Sequence, residues 1–76
     1  MDVMVMAEGA TTWLLTDLLG RAMGTIVHDA RGFFINPAGE AEKTMGMVNR
    51  GPHSTLDVAL AEIETRTRGV CRRSDN

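Results

Sequence analysis

The stretch from Ser54 to Glu64 restricts what this chain can fold into more than any other. Leu56, Ala59, Leu60 and Ile63 recur at i, i+3, i+4 and i+7, so a helix here buries one face and gives the other to water. Ser54 stands where its hydroxyl accepts from the free N–H groups of the first turn. Asp57 three residues on completes an S-x-x-D capping box. The spacing predicts a helix to Arg66 or Thr67, with Gly69 as its stop. Four apolar positions are too few to close a core, so this helix demands a partner layer.

The residues upstream offer a sheet. Thr25-Ile26-Val27-His28 and Phe33-Phe34-Ile35 read as strands around Asp29-Ala30-Arg31-Gly32, where Asp favours the first turn position and Gly accepts a left-handed backbone. Asn36-Pro37-Ala38-Gly39 repeats that design, so a third strand is predicted near 42–49, halted by Arg50-Gly51-Pro52. Leu14, Leu15, Leu18 and Leu19 make a narrow stripe with Trp13 on its flank, which predicts a short helix over 12–20. Residues 1–10 are expected as a flexible leader, although Val3 and Val5 alternate with methionine as a short strand would. Residues 71–76 are expected as a flexible tail, with Val70-Cys71 folding back as a last apolar contact. The predicted architecture is α+β, in one domain over 11–70. It comprises a short N-terminal helix, a three-stranded antiparallel meander, and one amphipathic helix packed on one face of the sheet.

With 76 residues such a core is marginal, and Cys71 as the only cysteine excludes an internal disulfide. A second copy of the chain is then the expected staple, as a homodimer in which exchange of elements between protomers is open. Trp13, Leu14, Leu15, Leu18 and Leu19 are the candidate self-association residues, since a short leucine-rich helix has nowhere private to hide. The net charge of −2 gives no global pull toward nucleic acid or membrane. Trp13-Leu14-Leu15 is far short of a membrane span, and Asp2 and Glu8 with no basic residues do not read as a secretory signal. A cytoplasmic protein is expected. The six methionines read as flexible core filler, with an adaptable binding surface as the sharper alternative.

The residues that carry chemistry do not converge. Cys71 lies among Arg66, Arg68, Arg72 and Arg73, and positive charge lowers a thiol's pKa. A nucleophile also needs a positioned base, and His28 and His53 are distant in sequence, so an inert thiol is expected. His28, His53 and Cys71 lack the short spacings of a zinc site, and no metal or cofactor is expected. Glu40 with Glu42, and Glu62 with Glu64, are i, i+2 pairs. On a helix that spacing separates them, so Glu62–Arg66 and Glu64–Arg68 read as i, i+4 ion pairs. No glycine pattern cradles a phosphate. Arg66, Arg68, Arg72 and Arg73 are the candidate anion or nucleic-acid contacts, without interleaved aromatics to stack bases.

The block from Gly24 to Arg73 carries the Phe33-Phe34-Ile35-Asn36-Pro37-Ala38-Gly39 return strand and the Pro52-His53-Ser54-Thr55-Leu56-Asp57 lead into a helix. In this it resembles small bacterial proteins of unknown function with a β-meander followed by one capped S-T-L-x-x-A-L-x-x-I helix. The resemblance covers about two-thirds of the chain and implies a bacterial, cytosolic domain without assigning a catalytic or binding residue. The reading is a non-enzymatic protein that acts through protein–protein contacts and self-associates. The alternative is a nucleic-acid accessory protein using the arginine cluster.

Overall fold

Alternation of valine with methionine at the N-terminus sets the first strand. In the computed structural model, which describes residues 2–39 and 48–73, five strands and one helix are formed. They are β1 (Val3–Ala7), β2 (Thr12–Thr16), β3 (Ala22–Asp29), β4 (Gly32–Pro37), α1 (Leu56–Thr67) and β5 (Cys71–Arg73). The sheet order is β4-β3-β2-β1-β5. The first four strands form an antiparallel meander, and β5 joins β1 in parallel. The α+β class agrees with the sequence, but the sheet has five strands rather than three.

The predicted helix over 12–20 is replaced by β2 and a turn. A nine-residue helix is marginal on its own, whereas a strand places Leu15 beside Val5 and Gly24 on the core face. Thr12 and Thr16 are β-branched residues suited to that pleat. The turn is fixed by Asp17, whose Oδ1 accepts from the N–H groups of Leu19 and Arg21, both at 2.9 Å. Gly20 supplies the positive φ of 83°. The same leucines that look periodic are thus divided between a strand and its hairpin tip.

Other expectations shift by shorter distances. Residues 3–7, expected as part of a flexible leader, form β1, and residues 71–73 of the expected tail form β5. The hairpin at Asp29–Gly32 is present, closed by the Arg31 N–H on Asp29 Oδ1 at 2.8 Å. β4 runs on through Asn36 and Pro37, which were expected to turn. The third strand predicted near 42–49 falls mostly outside the described residues, and Val48 and Asn49 belong to no strand.

β3 begins three residues before Thr25 and passes through Gly24 at φ 145°. A Cβ there would collide with the Asn36 carbonyl oxygen, so glycine is required by the close approach of β4. Next to it the β2–β3 register slips at Leu15/Thr16, and at this bulge Met23 is buried with the core.

α1 buries the predicted stripe of Leu56, Ala59, Leu60 and Ile63. Its N-cap is Thr55, not Ser54: the Thr55 hydroxyl accepts from the Val58 N–H at 3.1 Å. At the other end Arg68, not Gly69, holds the left-handed cap at φ 57°. The helix crosses one face of the sheet from β4 to β5. It covers Val3, Val5, Leu15, Ile26 and Ile35, flanked by Trp13, Phe33 and Cys71.

Candidate functional site

Strand alternation gives the sheet a second face, and α1 is not on it. Residues opposite the core positions are Met4 and Met6 on β1, Thr12, Leu14 and Thr16 on β2, Thr25 and Val27 on β3, Phe34 and Asn36 on β4, and Arg72 on β5. Met6 sits beside Leu14, Leu14 beside Thr25, and Val27 between Thr12 and Phe34. Met6 is 49% exposed, while Met4, Leu14, Val27 and Phe34 are half-buried by one another and by neighbouring side chains. The guanidinium of Arg31 lies over the Phe34 ring, 5.0 Å from its centroid, at the hairpin end of this face.

The sheet's two edges are treated differently. Along β4 the segment 48–53 lies antiparallel: the Phe33 N–H donates to His53 O, the His53 N–H to Phe33 O, and the Ile35 N–H to Arg50 O, all within 2.9 Å. His53 is buried there, its Nε2 2.6 Å from the Asn49 carbonyl. At the far side β5 is three residues long, and the carboxylate of Glu64 takes the Cys71 N–H at 2.8 Å. A short strand bearing Arg72 and Arg73, with a donor already occupied, is a blunted edge.

The five leucine-region side chains expected to form one contact surface occupy three places. Leu15 is wholly buried, and Trp13 packs on the core side against Phe33 with ring centroids 5.6 Å apart. Leu14 is on the outer face. Leu18 and Leu19, 65% and 79% exposed, stand at the β2–β3 tip beside an open groove shared with Asp2, Asp17 and Arg21. Met4 and Met6 fall on this face, where the sequence offers them only as the alternative reading of its methionines, and Val27 and Phe34 join them without having been expected there. The valine–methionine alternation in β1 is the signal that finds the first two.

The arginine cluster is spread along α1 and β5 and faces carboxylates. Arg66 pairs with Glu62 at 2.9 Å, Arg72 with Asp2 at 3.3 Å, and Arg73 with Asp57 at 3.6 Å. Arg68 is the helix C-cap. The expected Glu64–Arg68 pair is replaced by Glu64 on the Cys71 backbone. Glu62 also accepts from the Asn49 N–H, and that bond, with Arg66 beside it, holds its carboxyl below the ordinary value.

Burial pushes the Cys71 thiol up to about 12, with the charge of Glu64 adding to the effect. The neighbouring arginines therefore do not activate it; its Sγ lies 3.6 Å from the Leu60 carbonyl instead. His28 stacks on Phe33 at 4.1 Å between ring centroids, while His53 pairs with the Phe33 backbone from the other side and turns its Nε2 to the Asn49 carbonyl. Among the described residues, no three His, Cys, Asp or Glu side chains gather around one point where a metal ion would sit. Glu40 and Glu42 lie outside the described residues. Also among the described residues, no helix is long and apolar enough to cross a membrane. No family model, curated protein or solved structure matches the chain, so its site is read from its own geometry.

Proposed function

We propose that this chain is a small, non-enzymatic cytoplasmic protein that acts through protein–protein contacts and forms a homodimer. The observation that carries the reading is a five-stranded sheet that, among the described residues, has a helix on a single face, with methionine, leucine, valine and phenylalanine on the other. An antiparallel sheet that faces water on one side ordinarily alternates apolar inward with polar outward. Here the outward positions are themselves largely apolar or threonine. A contiguous apolar surface on a small protein marks a contact site.

The nucleic-acid alternative draws less support, because Arg66, Arg72 and Arg73 each stand against a carboxylate that offsets the charge a phosphate would use. Light scattering coupled to size exclusion tests the leading reading. The expected mass is about twice that of the 8.3 kDa chain at high micromolar concentration, falling toward one chain on dilution. A single-chain mass throughout that range refutes it.

A further inference from the structure

We infer that the outer face of the sheet docks on the same face of a second copy, sheet against sheet, about a two-fold axis beside Leu14. This rests on the self-association reading above and names the surface that performs it. Three kinds of surface compete, and the structure separates them. The strand edges are closed, β4 by the 48–53 segment and β5 by its brevity and by Glu64, so edge-to-edge extension of the sheet is disfavoured. The hairpin tip offers two leucines and little more, hemmed by the Asp17–Arg21 ion pair at 2.7 Å. The outer face alone is broad.

Its layout suits a copy of itself. β2 is the middle strand of the sheet and Leu14 is the middle residue of β2, so an apolar side chain sits at the centre of the face. Met4 and Met6 flank it on one side, Val27 and Phe34 on the other. The charges belong to the rim: Arg72 on β5, paired with Asp2, and Asp29 at the hairpin end, paired with Arg31. Placing this face on a copy therefore desolvates no lone charge at the centre.

An extended peptide would need an open sheet edge, which β4 and β5 do not offer, and among the described residues no element lies across this face. Two sheets of identical twist pack readily, at about 30° and about 10 Å apart. The symmetry of such a contact puts Leu14 against the partner's Leu14. The flexible thioethers beside it fill what the backbones leave open.

The area sets the strength. Five strands at about 4.8 Å and five residues at about 3.3 Å give a face of about 24 by 17 Å. Two such faces bury on the order of 800–1,200 Å² in total, below the standard size of stable complexes and in the range of weak, transient ones, so a dimer that dissociates readily on dilution is expected.

Cross-linking reads the geometry directly. With Cys71→Ala as background, Leu14→Cys is expected to give a disulfide-linked dimer under mild copper–phenanthroline oxidation, and Leu18→Cys is not. In light scattering, Leu14→Arg is expected to raise the dissociation constant at least tenfold with an unchanged circular dichroism spectrum. Cross-linking through Leu18→Cys instead, or a Leu14→Arg dimer of native affinity, overturns the sheet-face contact while self-association stands. A wild-type chain that stays monomeric removes both. Should Leu14→Arg fail to fold, the Leu14→Cys cross-link still decides.

Discussion

At the scale of single residues, Gly24 is the position with least tolerance. Its φ of 145° is closed to side chains, and the Asn36 carbonyl occupies the space a Cβ would take. Gly24→Ala combines backbone strain with a backbone clash, and a loss of about 3 kcal/mol or more is expected in urea denaturation. Gly9, with open space around its Cα and no positive φ, serves as the matched control and should change little. Cys71 gives a second test. Its thiol, ordinarily at 9.0, rises to about 12 in the folded chain, so alkylation at pH 8 should run well below the rate of a free peptide thiol. The sign of the linked stability follows. Between 9 and 12 the unfolded chain gives up the thiol proton and the folded chain keeps it, so stability falls as pH rises through that window. Cys71→Ala should remove that part of the alkaline slope.

At the scale of elements, α1 separates capping from mere proximity. Thr55 supplies the hydrogen bond to Val58, while Ser54 is one residue outside the cap. Thr55→Ala is expected to cost about 1 kcal/mol, and Ser54→Ala only a few tenths, by the same melts. The helix was legible because its apolar period spans more than two turns and sits between a cap and a stop. Its start was misjudged by one residue because serine and threonine are adjacent and both cap well.

β3 and β4 were legible through β-branched and aromatic runs around an Asp-x-x-Gly turn. β2 was not, because Leu14, Leu15, Leu18 and Leu19 satisfy a helical spacing over a length too short to distinguish it from alternation. What distinguishes them is long-range: Leu15 pairs across to Val5 and Gly24, contacts that no local pattern contains. The candidate surface was hidden for the same reason. Which of two leucines faces outward depends on a register set by neighbouring strands.

For the whole molecule, acid sensitivity is spread over turns and the helix flank. Asp17 is held below its ordinary 3.8 chiefly by the Arg21 N–H, Asp29 below 3.8 chiefly by the Arg31 N–H, and Glu62 below 4.5 chiefly by the Asn49 N–H. The stability each contributes is complete above its unfolded value and is lost as pH falls through the folded one. Urea midpoints should therefore decline below about pH 4.5, and Glu62→Gln should make that decline shallower while lowering stability at neutral pH. Glu62 matters beyond its own helix, since it ties α1 to the 48–53 segment that covers β4.

The parallel pairing of β1 with β5 has a consequence in time. Val3 receives its outer partner from Val70, whose carbonyl accepts the Val3 N–H at 2.9 Å, so β1 is completed by a strand that follows every other described element in the chain. While the chain emerges, β1 keeps a bare edge next to Val3 and Val5 until residues 70–73 arrive. A chain ending at Gly69 is expected to retain the meander and the helix but to display that edge permanently. It should precipitate on warming at concentrations where the full chain stays clear. Equal turbidity onset for the two chains would show that β1 is protected by some other means.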